Sequence, residues 1–171
     1  MTPEFSRLVD IRQIGPAPMT LTATPAEREA LAARFGLVSI GELQARLTLT
    51  CEGDVVTAGG RLSAAWTQPC AVSGEDLAQQ ADEPIQLRFV PQSMVRESED
   101  EIELTETECD EIDYNGTSFD LGEAVAQSLA LAIDPFACGP EAEEARRAAG
   151  ILSEGVAGPF AALAGLKLGK D

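Results

Sequence analysis

The chain has 171 residues, and its 29 acidic residues outnumber its 12 lysines and arginines, which gives a formal charge of −17. This length suits one ordinary domain with or without a tail, and the 44% of hydrophobic residues is enough to bury a core. Histidine is absent from the sequence, which excludes a Ser-His-Asp triad, a Cys-His pair and a histidine-ligated metal.

Two short strands are predicted near the N-terminus. Residues 5–14 alternate imperfectly between apolar and polar side chains, and residues 19–23 place every second side chain on one apolar face. The run Gly15-Pro16-Ala17-Pro18 separates the two segments, because glycine and proline interrupt regular structure.

A helix is predicted directly after the second strand. Thr24 precedes Pro25, and Glu27 stands three positions after the threonine, which is the pattern of a capping box. Gly36 is a typical helix-ending residue. We therefore predict a helix over residues 25–35.

Three clearer strands follow this helix. Residues 42–51 and 56–67 alternate between apolar and polar, and Gly53-Asp54 between them predicts a hairpin. Residues 85–89 alternate in the same way. Because each strand is apolar on one face only, we predict an antiparallel sheet with one packed and one solvated face. Gly59-Gly60 predicts a β-bulge within the second strand, since a phosphate-binding loop would need a lysine here.

The region after these strands carries most of the charge. Residues 1–96 contain 11 acidic residues and 8 arginines, whereas residues 97–171 contain 18 acidic residues and 4 cations. The run from Glu97 to Asp113 holds ten carboxylates and no cation. It is compatible with a solvated loop or edge, with a docking surface for a basic partner, or with a calcium or hydrolytic site. The apolar pairs Ile102/Leu104 and Ile112/Tyr114 each indicate a brief edge strand.

The docking interpretation assigns eight partner-binding residues within this acidic run. They are Glu99, Asp100, Glu101, Glu103, Glu106, Glu108, Asp110 and Glu111. Attraction to an Arg/Lys-rich protein would be strong at low ionic strength and would weaken as salt shortens the Debye length. The same charge disfavours direct nucleic-acid binding through this face.

Two more helices are predicted in the C-terminal half. A four-residue repeat of apolar side chains indicates a helix laid on the sheet: Leu121, Val125, Leu129 and Ile133. Asp134-Pro135 ends this helix. A weaker helix is predicted over residues 141–149.

These elements together predict an α+β fold, with an antiparallel, strongly twisted or barrel-like sheet, two packed helices and an acidic arm. We predict a single domain over residues 1–137, with an acidic insertion at about 97–113. Residues 138–171 form an Ala/Gly/Glu-rich tail with a weak helix. The lone Trp66 is predicted to lie in the core, because it shares the apolar face of its strand.

The cysteines and the N-terminus bear on compartment and chemistry. Cys51, Cys70, Cys109 and Cys138 lack CxxC spacing, so we predict free, mostly buried thiols. No cation lies close enough in sequence to activate Cys70.

Without a secretory signal or an apolar run of about 20 residues, a cytoplasmic protein with no membrane association is predicted. No catalytic, cofactor-binding or metal-ligating residues are predicted.

Four segments of the chain resemble, in the same order, alphaproteobacterial members of the YceD family, the large ribosomal RNA subunit accumulation proteins. They are residues 24–37, ending in Arg34-Phe35-Gly36-Leu37; residues 60–72, with Gln68-Pro69-Cys70; residues 118–135, with Asp120-Leu121-Gly122-Glu123; and residues 158–167. The resemblance implies a small cytoplasmic protein that is not an enzyme and that is needed for ribosomal RNA accumulation and ribosome assembly.

The chain departs from this family pattern at its cysteines. Many relatives carry a CxxC motif where this chain has Thr67 and Cys70, and their later Cys-rich motif is represented here only by Cys138. A metal-binding role is therefore not carried over from the resemblance.

The leading hypothesis is a ribosome-assembly factor that binds a basic ribosomal or assembly protein through its acidic run. One alternative is a carboxylate-based hydrolase of unknown substrate, which requires a concave pocket that gathers two or more acids beside apolar walls. The other is an acidic binding protein that mimics nucleic acid, which requires carboxylates spaced along a rigid face.

Overall fold

A computed structural model of the chain describes residues 4–92 and 110–150. Within these residues the strands are Leu8–Asp10 (β1), Met19–Thr22 (β2), Ser39–Glu52 (β3), Val55–Pro69 (β4), Asp76–Pro91 (β5), Asp110–Tyr114 (β6) and Ser118–Asp120 (β7). The α-helices are Pro25–Phe35 (α1), Leu121–Ala132 (α2) and Ala142–Ala148 (α3). The α+β class is confirmed: α1 and α2 correspond to the two predicted packed helices, and α3 corresponds to the weaker helix predicted over residues 141–149.

Five strands form the main sheet in the order β2-β3-β4-β5-β6. The predicted hairpin is confirmed, because β3 and β4 pair antiparallel down to Glu52 and Val55, on either side of a turn in which Gly53 has a φ of 64°. The long β5 was only partly predicted, since its first half is polar and largely solvent-exposed. Strands β1 and β7 pair separately as a two-stranded antiparallel sheet.

Two details of the predicted sheet are wrong. Strand β6 pairs parallel with β5, with Leu87 opposite Asp110 and Pro91 opposite Tyr114, so the sheet is not antiparallel throughout. Nor is it barrel-like, because β2 and β6 each have one neighbouring strand within residues 4–92 and 110–150. Alternation reports which face of a strand is buried, and it carries no information on strand direction or on closure.

The predicted bulge at Gly59-Gly60 is also wrong. Both glycines keep a regular register, opposite Thr48 and Leu47, and the irregularity in the β3–β4 pair lies between Ile40 and Glu42. A Cβ atom on Gly60 would lie 1.9 Å from the Arg46 carbonyl oxygen, whereas one on Gly59 would meet nothing within 4 Å. Gly60 is therefore needed for the close approach of the two strands.

The hydrophobic core lies between the apolar face of the sheet and helices α1 and α2. Leu43, Leu47 and Phe89 from the strands are buried together with Leu31 of α1 and Leu129 of α2. Trp66 is 5% exposed, which confirms its predicted core position. Because alternate strand residues supply this face, the sheet buries one side and leaves Thr, Arg and Gln side chains on the other.

Helix α1 begins with the predicted capping box and ends at the predicted glycine. The Thr24 N–H donates to Glu27 Oε2 at 2.8 Å, and the Glu27 N–H donates to Thr24 Oγ1 at 3.4 Å. Gly36 caps the C-terminus with a φ of 66°. Arg7 donates to both carboxylate oxygens of Glu27, at 2.7 and 3.0 Å, so the capping residue also holds the N-terminal segment.

The N-terminal segment is a shorter strand than predicted. Strand β1 covers Leu8–Asp10 and is followed by a 3₁₀ turn over Ile11–Gln13. Asp10 caps this turn, because its Oδ1 accepts a hydrogen bond from the Arg12 N–H at 2.9 Å. A local side-chain hydrogen bond of this kind competes with strand pairing, which accounts for the early end of the strand.

Asp120 caps α2 and joins it to the N-terminal segment. Its Oδ1 accepts from the backbone N–H groups of Arg7 at 2.7 Å and of Glu123 at 3.1 Å, and its Oδ2 accepts from Ser6 Oγ at 2.5 Å. A Cβ atom on Gly122 would lie 2.6 Å from the Phe5 carbonyl oxygen, so only glycine permits this contact. The predicted apolar stripe of α2 is confirmed by the burial of Leu121, Val125 and Leu129.

The described residues fall into two compact units. The first, the sheet unit, is drawn from Met1–Gln68 and Ala78–Asp134 and contains the core. The second, the turn unit, is drawn from Pro69–Leu77 and Pro135–Asp171, and in it the Cys70–Gly74 turn is hydrogen-bonded to the segment that precedes α3. The predicted single domain over residues 1–137 with a tail over 138–171 stays a prediction.

Gly60→Ala should destabilise the protein by about 2 kcal/mol or more, because the new methyl group forces the β3 and β4 backbones apart. Gly59→Ala is the matched control on the same strand and should change the free energy of unfolding by less than about 0.5 kcal/mol. Urea unfolding of both variants measures the difference. Equal stability of the two variants would contradict the assigned register.

Glu27→Gln should lower stability at pH 7 by roughly 1–2 kcal/mol, because the hydrogen bond from Arg7 holds the pKa of Glu27 at about 2. A carboxylate with a depressed folded-state pKa stabilises the fold above its unfolded pKa, and this stability is lost as the pH falls towards 2. The free energy of unfolding, measured at a series of pH values from pH 5 to pH 2, should therefore fall less steeply in the variant than in the wild type. Glu29→Gln, an exposed change on the same helix, should keep the wild-type slope.

Candidate functional site

Most of the predicted partner-binding residues lie outside the described part of the chain. Glu99, Asp100, Glu101, Glu103, Glu106 and Glu108 fall within residues 93–109, as does the predicted edge strand at Ile102/Leu104. Asp110 begins β6, and Glu111 is exposed on that strand. The docking hypothesis for these eight residues therefore stays a prediction, although its C-terminal end can be located in the fold.

Strand β6 confirms the second predicted edge strand, at Ile112/Tyr114. Its side chains alternate, with Tyr114 buried and Ile112 packed against the core, while Glu111 and Asp113 are exposed. Tyr114 and Phe119 lie against each other at a ring-centroid distance of 6.0 Å. The apolar side chains thus hold the strand on the sheet, and the side chains of Glu111 and Asp113 face solvent.

Tyr114 also brings a second group of acids to the end of β6. Its hydroxyl donates to the backbone carbonyl oxygen of Asp54 at 2.5 Å, and burial raises the pKa of this tyrosine. The exposed carboxylates of Glu52 and Asp54, in and beside the β3–β4 turn, therefore lie at the same end of the sheet as Asp113. We call Glu52, Asp54 and Asp113 the acidic end of the sheet.

Sequence reasoning missed this acidic end. Asp54 and Tyr114 are 60 positions apart, and the contact between them depends on the full strand order. The sequence signal that could have identified it is the single tyrosine at the end of an otherwise acidic strand, because a buried tyrosine hydroxyl usually needs a hydrogen-bond partner.

The arginines of the described residues are mostly engaged by carboxylates. Six of the nine form ion pairs: Arg7, Arg12, Arg34, Arg61, Arg88 and Arg146. Arg88 pairs with Glu111 of β6, and Arg61 pairs with Asp82 of β5 at 3.0 Å. These six cations are thus neutralised locally by carboxylates of the fold.

One pocket gathers carboxylates beside apolar walls. A cavity of about 220 Å³ is lined by Asp113, Asp120 and Glu123, together with aromatic and aliphatic side chains of β6, β7 and α2. Two of the three carboxylates already have structural partners: Asp120 accepts the hydrogen bonds that cap α2, and Glu123 pairs with Arg34 at 2.8 Å. The hydrogen bond from Arg34 lowers the pKa of Glu123, which is the wrong direction for a general acid.

Gln68 joins the lone tryptophan to the end of α2. Its side chain is 4% exposed, and its Oε1 accepts from Trp66 Nε1 at 2.7 Å. Its Nε2 donates to the Asp134 carbonyl oxygen at 2.7 Å. Gln68 is the residue of the family-like segment 60–72 that precedes Pro69-Cys70, so this part of the motif has a structural role.

Cys70 is a buried thiol that accepts backbone hydrogen bonds. Its Sγ accepts from the Ser73 N–H at 3.3 Å and from the Gly139 N–H at 3.4 Å. Hydrogen bonds from Ser73, and then from Gly139, lower the pKa of Cys70 to about 6. The expectation that Cys70 is not activated rested on the lack of a nearby cation in the sequence, and it stays a prediction, because these donors act without a cation.

The other described cysteines are more exposed than predicted. Cys51 and Cys138 are exposed, and these two and Cys70 are free thiols. Among residues 4–92 and 110–150, no group of three or more Cys, Asp or Glu side chains is arranged to hold a metal ion. The helices of the same residues include none that is long and apolar enough to cross a membrane.

The chain belongs to the YceD family. Residues 58–167, more than half of the sequence, match this family, which is described as large ribosomal RNA subunit accumulation protein YceD. The matched region begins in β4 and includes β5, β6, β7, α2 and α3, so it contains Gln68, Cys70 and the Asp120 cap. No curated protein and no solved structure gives a significant match.

Gln68→Leu should destabilise the protein by about 2 kcal/mol, because it leaves the buried indole N–H of Trp66 without its acceptor. Chemical unfolding can be followed by the fluorescence of Trp66, the single tryptophan of the chain. Gln44→Leu is the control, because Gln44 makes its hydrogen bond with Thr22 on the exposed side of the sheet. If both variants unfold at the same denaturant concentration, the buried hydrogen bond of Gln68 contributes nothing.

Proposed function

We propose that this protein is a non-enzymatic cytoplasmic factor for large-subunit ribosomal RNA accumulation, acting in ribosome assembly by binding a basic ribosomal or assembly protein. Membership of the YceD family supports the role in RNA accumulation. The binding mode is inferred from charge: acidic residues exceed cations by 17, and most of the excess lies after residue 96. A cationic protein is the partner that such a field attracts.

The observation that carries the proposed binding mode is the position of Asp54 beside Tyr114. This contact adds the carboxylates of Glu52 and Asp54 to those of β6, so two segments remote in sequence contribute charge to one surface. The acidic end of the sheet includes Asp113 of β6, and the same strand contains Asp110 and Glu111, the last two of the predicted docking residues. The two sets together form the proposed docking surface.

The arginine pairs favour a protein partner over direct binding to RNA. Phosphate contacts need lysine or arginine side chains that are free to neutralise charge. Arg7, Arg34, Arg61 and Arg88 each have a carboxylate partner in the fold. Recruiting them to RNA would break ion pairs and would bring carboxylates close to phosphates.

The proposal that the protein is not an enzyme rests on how the carboxylates are used. The pocket that holds Asp113, Asp120 and Glu123 is the arrangement that the hydrolase hypothesis requires. However, Asp120 and Glu123 stabilise the fold, and the pocket is smaller than the about 300 Å³ at which ligand pockets usually begin. These properties argue against hydrolysis at this site.

The docking surface can be tested by neutralisation. Glu52→Gln, Asp54→Asn and Asp113→Asn together remove three charges, and the Tyr114 hydrogen bond is kept because it uses the Asp54 backbone. We expect recovery of large-subunit components with the tagged protein to fall about five- to tenfold at low salt. A second variant, with all eight predicted docking residues neutralised, should lose more.

The control removes the same charge elsewhere. Glu29→Gln, Glu42→Gln and Glu83→Gln change three exposed acids of α1, β3 and β5 and should leave recovery unchanged. Sedimentation at low and high salt gives the second measurement, because an electrostatic contact weakens as salt rises. Unchanged recovery in both docking variants would overturn the proposed surface.

A further inference from the structure

The turn unit places two cysteines side by side. The Ala71 N–H donates to the Ala137 carbonyl oxygen at 3.0 Å, so the chain after Cys70 runs next to the segment that leads to Cys138. The Gly139 N–H donates to Cys70 Sγ at 3.4 Å. These contacts hold the backbone on both sides of Cys138 against the Cys70 turn.

The hydrogen bond to Gly139 limits the distance between the two cysteines. The Cα atom of Cys138 lies about 2.4 Å from the Gly139 nitrogen by covalent geometry. It therefore lies within about 6 Å of Cys70 Sγ, since the hydrogen bond adds 3.4 Å to that separation. Cys70 Sγ lies about 2.8 Å from its own Cα atom, so the two Cα atoms lie within about 9 Å of each other. A disulfide requires Cα atoms about 4.4–6.8 Å apart, so the two backbone segments must approach by at most about 2 Å to join the sulfurs.

The two thiols differ in exposure, and this difference suits them to consecutive steps. Cys138 is exposed, and its Sγ donates a single hydrogen bond, to the Phe136 carbonyl oxygen at 3.2 Å. Rotation of its side chain breaks only this bond and a 4.0 Å contact with Arg146. Cys70 is buried, and hydrogen bonds from Ser73 and from the Gly139 N–H favour its thiolate form.

We propose that Cys70 and Cys138 form a reversible intramolecular disulfide when a low-molecular-weight disulfide, such as oxidised glutathione, is the oxidant. The inference is independent of the proposed function, because it concerns contacts within the turn unit. It makes the link between the Cys70 turn and the segment before α3 dependent on redox conditions.

The reaction proceeds in two exchanges. The exposed Cys138 thiolate, having lost its proton to solvent, attacks one sulfur of oxidised glutathione, and one glutathione thiolate leaves. The Cys70 thiolate then attacks the Cys138 sulfur and releases the second glutathione thiolate. Two protein thiols lose two electrons to become one disulfide, and oxidised glutathione gains them to become two molecules of reduced glutathione.

The test is treatment of the full chain with oxidised glutathione, followed by mass spectrometry without reduction. We expect a peptide that links Cys70 to Cys138, with glutathione retained at the exposed Cys51. In Cys70→Ser, which cannot complete the second exchange, glutathione should remain on Cys138 at least about tenfold more than in the wild type. The linked peptide should disappear on addition of dithiothreitol.

If Cys70→Ser fails to fold because it buries a serine hydroxyl, a second variant still tests the proposal. Cys138→Ser should lose the linked peptide and should leave Cys51 modified as before, since Cys51 is exposed and separate from the turn. Equal retention of glutathione on Cys138 in wild type and Cys70→Ser would overturn the proposal. A linked peptide that instead joins either cysteine to Cys51 or Cys109 would also overturn it.

Discussion

Asp120 accepts hydrogen bonds from Ser6, Arg7 and Glu123, so this one carboxylate joins the N-terminal segment to the start of α2. It accepts from the Glu123 N–H, one of the groups at the start of α2 that have no partner within the helix. It also holds the segment before β1, together with the Arg7–Glu27 ion pair and the pairing of β1 with β7. Gly122 makes this possible, because any side chain there would collide with the backbone of residues 5–7. One carboxylate and one glycine thus join the start of the chain to its second half.

The charges of this protein fall into two groups with different roles. Glu27, Asp120 and Glu123 each make contacts that join one element to another, and two of them are paired with arginines. Glu52, Asp54 and Asp113 are exposed and contribute mainly to the external field. An acidic chain can fold stably because the first group is matched to cations or helix N-termini, while repulsion in the second group is reduced by solvent and salt.

The parts of the structure that sequence predicts well are those set by neighbouring residues. The capping box of α1 uses residues three apart, and the buried stripe of α2 repeats every four residues. The direction of β6, the contact of Tyr114 with Asp54 and the donors to Cys70 join segments far apart in the chain. Composition and spacing do not identify the partners in such contacts, although the single tyrosine in an acidic segment indicates that Tyr114 needs one. The sequence therefore identified the acidic run that ends in β6, but it did not predict that Glu52 and Asp54 lie at the same end of the sheet.

The parallel pairing of β5 and β6 makes the length of the acidic connection a structural requirement. The chain leaves β5 at Pro91 and enters β6 opposite Leu87, four positions back along the strand, or about 13 Å. Joining two parallel neighbours takes a dozen or more residues, and residues 93–109 supply 17. Shortening this connection by more than about five residues would pull β6 off the sheet, whereas exchanging its side chains would not. Charge and span are thus separate requirements of this segment, because the span joins β5 to β6 and the proposed docking depends on the charge.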